Sequence, residues 1–288
     1  MTRLRLLFVA LPALLAATPS HAEPALWAAS SPTATIYLFG TVHLLTDRVA
    51  WRSPRIDQAL ADSSELWLEL ANASDTAATT PYILQYATDP VHPLSTKLND
   101  NERARLKIIV DRSSLPGIDR LEPYRPWMVA LMISLNRFSS AGYSLKTGVE
   151  AVLSAEMTGS GRPVRGLETI EDEFRYFNHL SPSADVQMLD EAMDDIDSGT
   201  NKLNAIVAAW QEGDVETIGK LIDAEMAAKQ PDAYQALIVN RNIAWARSLR
   251  DRLRRKGTFF VAVGAGHLAG PDSVQAQLAQ FGIATRRE

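Results

Sequence analysis

Apolar positions along this chain follow two periods. Residues 34–39 (ATIYLF) are rich in β-branched and aromatic residues, residues 258–263 (TFFVAV) are a continuous apolar run, and each stops at a glycine, Gly40 or Gly264. Runs of this kind are strands buried on both faces. Residues 64–70 (SELWLEL) alternate instead, with Leu66, Leu68 and Leu70 on one side and Glu65, Trp67 and Glu69 on the other, which is the period of a strand. Weaker strands are expected at residues 162–165 and 283–286. The rest reads as helix: residues 54–62, 99–111 behind an Asn/Asp start signal, 126–138, 148–157, 184–210, 215–228 after a break at Gly213-Asp214, 233–254, and 271–281 with Pro271 at the first helical position. Strands thus cluster near both ends of the chain and helices fill the middle. The pattern predicts an α/β fold: a mixed sheet built from strands near both termini, flanked by helices, with a helical middle region at about residues 99–230.

The first 22 residues change that picture. Arg3 and Arg5 precede an apolar run, and Ser20-His21-Ala22 puts small residues where a signal peptidase reads. This is the layout of a cleaved secretory signal peptide, too short to span a bilayer comfortably, with no Cys behind it to carry a lipid. Residues 23–288 are then expected to be one domain, periplasmic or secreted, without a membrane span. Losing Arg3 and Arg5 from 29 basic residues leaves 27 against 34 acidic ones, a net charge of −7. A chain so acidic lacks the basic stripe that nucleic acid requires. The absence of Cys removes disulfides, thiolate metal sites and Cys nucleophiles together.

Only four His follow the leader: His43, His92, His179 and His267. His43 and His267 share one context, strand then Gly-x-x-His, and ligands of open α/β sheets bind beyond the carboxyl ends of strands. Glu69 ends the alternating strand, where a buried carboxylate needs a partner. Its ordinary reading is a helix cap or an Arg partner. Its chemical reading is a metal ligand or general base beside the two His, since imidazole plus carboxylate without thiolate suits Zn, Mn, Co or Fe. Glu150, in the first turn of a helix, and Glu168 make a possible second acidic set, and either could serve only as a cap. Arg241 offers a fork for a carboxylate or an oxyanion, or a surface ion pair of little value. His92 and His179 sit in Pro- and Ser-flanked loops and are expected to be exposed. No Gly-x-Ser-x-Gly, P-loop, dinucleotide fingerprint or His-Glu-x-x-His occurs.

Five segments in order carry a resemblance: residues 37–43 (YLFGTVH), 68–70 (LEL), 166–169 (GLET), Arg241-Asn242 and residues 260–268 (FVAVGAGHL). Together they resemble the TraB/PrgY/GumN family, grouped with the Tiki proteases and erythromycin esterases, over roughly residues 27–286. The resemblance implies a metal-dependent hydrolytic site with His43 and His267 as metal-site or catalytic His and Glu69 as ligand or base. Arg241 would stabilise an oxyanion or hold a substrate carboxylate, and the ion would be Zn, Mn or Co. Two departures stand out: Glu150 where many relatives carry Asp, and Asn240 where an acidic residue often precedes Arg-Asn. The implied function is an exported metal-dependent hydrolase, a peptidase first, acting on a peptide or small molecule. The alternatives are a non-catalytic periplasmic binding protein for peptide, metal or haem, and an ester hydrolase of the erythromycin-esterase type. The sequence leaves the oligomeric state open.

Overall fold

The computed structural model describes residues 23–288 apart from positions 74 and 198; the expected leader lies outside the described residues. Six strands, β1 (Leu26–Ser30), β2 (Ala34–Thr41), β3 (Glu65–Leu68), β4 (Val164–Gly166), β5 (Gly257–Gly264) and β6 (Thr285–Arg287), form one sheet in the order β4-β3-β5-β2-β1-β6. Strands β4, β3, β5 and β2 run parallel, while β1 lies antiparallel to β2 and β6. The sheet is therefore mixed and draws on both ends of the chain, as the apolar pattern predicts. Strand β5, made late in the chain, occupies the middle.

Alternation along β2 and β5 splits the core into two layers. Phe39, Phe260 and Ala262 face Trp51, Val149, Leu153 and Trp210 on one side. Ile36, Leu38, Phe259, Val261 and Val263 face Trp245, Leu249, Val274 and Leu278 on the other. Both sides of the central strands are covered, which is why these segments carry no charged residue. The middle region packs a separate apolar cluster from helices Asp100–Asp111, Pro126–Ser140 and Pro182–Asp197. Among the described residues no helix is long and apolar enough to cross a membrane.

Several boundaries differ from the expectation. The segment expected as one helix over 184–210 is two, Pro182–Asp197 and Asn201–Gln211, separated at Gly199, whose φ of +61° no helix interior accepts. The final helix is Val274–Ala279, capped by the Ser273 hydroxyl, so Pro271 lies before it and not at its first position. The helix expected over 233–254 contains a π-helical turn, Gln235–Val239, just before Asn240–Arg252. A second π-helical turn spans Lys220–Ala224.

Candidate functional site

All four parallel strands end on the same edge, and each delivers a polar side chain within three residues of its last. His43 follows β2, Glu69 follows β3, Glu168 follows β4 and His267 follows β5. The register pairs Gly40 with Val263 and Thr41 with Gly264, so the two Gly-x-x-His segments leave neighbouring strands side by side. Glu69 Oε1 lies 3.9 Å from His43 Nε2 and 3.9 Å from His267 Nε2. The three residues read from the sequence thus meet at one carboxylate oxygen. The other two His stand apart and exposed, as expected.

Each side chain is held from outside the trio. His43 Nδ1 lies 2.7 Å from Glu150 Oε1, and the Thr41 hydroxyl donates to that same oxygen. Gly148 makes this possible: a Cβ there would lie 2.0 Å from the His43 carbonyl oxygen, so only glycine lets the helix Val149–Gly159 begin against the His43 backbone. Glu69 Oε1 accepts the Gly264 N–H at 2.7 Å, and Oε2 accepts from Arg241 at 2.5 Å. Arg241 also donates to Glu168 through Nε at 3.0 Å and Nη2 at 2.5 Å. The Trp245 indole donates to Glu168 at 3.1 Å and packs against the His267 ring, with centroids 4.5 Å apart. Glu150 and Glu168 accordingly do not form one acidic set. The first serves His43, the second Arg241. Arg241 is buried between two carboxylates, which excludes the bland reading of a surface ion pair.

The electrostatics separate the two His. The Glu150 carboxylate on Nδ1 holds the half-exposed His43 imidazolium up to about 10. Burial pushes buried His267 down to about 3 and keeps it neutral. For Glu69, burial acts to raise the carboxyl, but Arg241, His43 and the Gly264 N–H outweigh it and hold it well below the usual range. Burial raises Glu168 despite Arg241. A residue the sequence reading passed over, Glu173, joins this field: burial pushes it up to about 7, with Glu69 and Glu168 adding to the rise and Arg241 opposing it. Nothing in its helical setting, Ile170–Asn178, distinguishes it from an ordinary first-turn acid. Asn242, buried beside His267, was noticed only as part of a motif.

Among the described residues no group of three or more His, Asp or Glu stands close enough to hold a metal ion as the side chains are placed. The donor chemistry and orientation do fit one. Two imidazole Nε2 atoms and a carboxylate oxygen suit Zn, Mn or Co, provided that the ion displaces the proton that Glu150 holds on His43. Both His have Nδ1 against an oxygen acceptor, Glu150 or Asn242, the outer arrangement that aims Nε2 at a metal. Gly264 leaves the space between them free: a Cβ there would stand 3.2 Å from Glu69 Oε1, 3.3 Å from His43 Nε2 and 3.6 Å from His267 Cδ2.

The TraB/PrgY/gumN family profile matches residues 25–287, almost every described position. The chain belongs to the TraB/PrgY/gumN family. A relative described as an uncharacterized protein of Treponema pallidum (strain Nichols) is 22% identical over 279 residues, covering 92% of this chain and 82% of its own. No solved structure matches the chain. The TraB/PrgY/gumN match takes in all four strand ends that build the site.

Proposed function

We propose that this chain is an exported hydrolase that works with a divalent ion, Zn, Mn or Co, and cleaves a peptide bond. The observation that carries the reading is the convergence of His43 Nε2 and His267 Nε2 on Glu69 Oε1 at the carboxyl edge of four parallel strands. The two Nε2 atoms would hold the ion, with Glu69 as its third ligand or as the base for its water. When bound, it supplies a water of lowered pKa and polarises a substrate carbonyl. Glu69 is the carboxylate placed to accept a proton beside both imidazoles. Glu150 orients His43 through Nδ1. Arg241 has its Nε and Nη2 on Glu168 and Glu69, and Nη1 3.3 Å from His267. Its share is therefore fixed positive charge, which keeps Glu69 ionised and favours a developing oxyanion. Export rests on the leader pattern at residues 1–22.

A binding role without catalysis is favoured by one observation: both oxygens of Glu69 already accept a hydrogen bond, from Gly264 and Arg241. Glu69→Gln separates the readings. The wild-type protein is expected to retain one of these ions and to cleave a quenched-fluorescence peptide library, with loss on chelation. If Glu69 is the base, the variant keeps ion and fold but loses about 10²–10⁴-fold in turnover. If it is a ligand, ion content falls with activity. Wild-type protein that binds none of these ions and cleaves nothing in the library overturns the proposal.

A further inference from the structure

The geometry points to Asn242 as the positioning residue that fixes which ring nitrogen of His267 carries its proton. Asn242 is fully buried on the helix Asn240–Arg252. Its side-chain amide makes two contacts. Nδ2 lies 2.8 Å from the Asp272 carbonyl oxygen, and Oδ1 lies 2.7 Å from His267 Nδ1. An Asn oxygen and nitrogen are interchangeable in shape, so their assignment must come from the partners. The Asp272 carbonyl decides it, because a carbonyl can only accept. The amide NH₂ must face Asp272, so the amide oxygen must face His267. That oxygen also can only accept, and His267 Nδ1 must carry the hydrogen.

The other side of the ring gives the same answer independently. His267 Nε2 is 3.3 Å from Arg241 Nη1, and a guanidinium donates but never accepts. Nε2 must therefore present its lone pair. Two groups on opposite edges of one buried ring select the same neutral tautomer, and the tilted Trp245 ring, with its centroid 4.5 Å away, resists rotation. Asp272 is itself anchored, since the Tyr234 hydroxyl donates to its carboxylate at 2.9 Å. The chain Tyr234–Asp272–Asn242–His267 thus links the π-helical region to the site. His43 is held differently, by a carboxylate in place of an amide, so the paired Gly-x-x-His segments supply two unlike imidazoles. His267 can act as an acceptor or ligand through Nε2 and cannot donate a proton from it.

The functional consequence rests on the proposed hydrolytic site; the tautomer does not, and it is read without any ion or substrate. The experiment is a long-range ¹H–¹⁵N correlation spectrum of the chelator-treated protein labelled in its histidines, with His267 assigned from the spectrum of His267→Gln. The wild type should show His267 protonated at Nδ1 with a bare Nε2. Asn242→Asp, which keeps an acceptor at this position, should retain the proton on Nδ1. Asn242→Leu, which removes the acceptor at similar volume, should lose the Nδ1–H form as the main species while the amide spectrum stays folded. A wild-type ring protonated at Nε2 overturns the assignment outright. An unchanged Nδ1–H pattern in folded Asn242→Leu overturns the role of Asn242, leaving Arg241 to set the tautomer alone. Failure of Asn242→Leu to fold leaves the wild-type spectrum and Asn242→Asp to decide.

Discussion

Asp223 gives the sharpest prediction about stability. It lies in the π-helical turn Lys220–Ala224, is 2% exposed, and neither of its carboxylate oxygens has a hydrogen-bond partner among the described residues. Two glycines press on it: a Cβ on Gly266 would stand 3.3 Å from Oδ1, and one on Gly270 would stand 2.9 Å from Oδ2. Burial, with Asp272 adding repulsion, pushes its pKa from 3.8 up to about 7. An acid raised in this way binds its proton more tightly when folded than when unfolded. Stability is therefore greatest below about 3.8 and falls as pH rises, with the loss complete above about 7. At 1.36 kcal/mol per unit, the full loss is about 4 kcal/mol, of which roughly 2–3 kcal/mol falls between about pH 5 and about pH 8. Asp223→Asn removes this titration while keeping the shape. Urea denaturation of both proteins at the two pH values should show the variant gaining about 2–3 kcal/mol relative to wild type on going from acid to base. A difference that does not move with pH, within about 0.5 kcal/mol, refutes the reasoning and means that Asp223 holds its charge through a partner or finds its way to solvent.

Other predictions bear on the site itself. Gly148→Ala forces a methyl onto the His43 carbonyl and should cost about 1–3 kcal/mol, read as a fall in melting temperature, with His43 displaced and any hydrolytic activity lost beyond what the unfolded fraction explains. Arg241→Met strands Glu69 and Glu168 in the core and should cost about 3–5 kcal/mol by denaturant titration. Adding Glu168→Gln to that variant should recover part of the loss, and a double variant no better than the single one would argue against the buried triad.

The legible parts of this molecule were those in which one segment carries its own signal. Strands β2 and β5 stand out because burial on both faces strips them of charged residues, and the His at their ends were noticed because each repeats the same local context. Strand β1 was missed: its LWAAS segment has no β-branched residue, and it is a strand through pairing with β2 and β6. The helix Thr76–Tyr86 was missed for the opposite reason, since Pro81 sits inside it and none of its residues is buried, leaving no periodic stripe. Pro271 misled because its fixed φ suits a helix start, while Ser273 supplies the hydroxyl that caps the real one. Glu150 and Glu168 were visible as acids, but their division between His43 and Arg241 is set by which helix lands on which strand end. Asn242, Glu173 and Asp223 take their character from burial beside residues distant in the chain, and no local spacing encodes that.

The position of β5 between β3 and β2 has a consequence for the order of events as the chain is made. A chain that emerges N-terminus first completes β2 at Thr41 and β3 at Leu68, long before Gly257–Gly264 arrives to join them. Until then two apolar strand edges stand open, a state prone to wrong pairing. The same late segment brings His267 and the Gly264 N–H that fixes Glu69. A nascent chain that stops short of β5 thus lacks the seam of the sheet and His267 at its edge. The cluster cannot form piecemeal: it comes into being only when the chain has been made through His267.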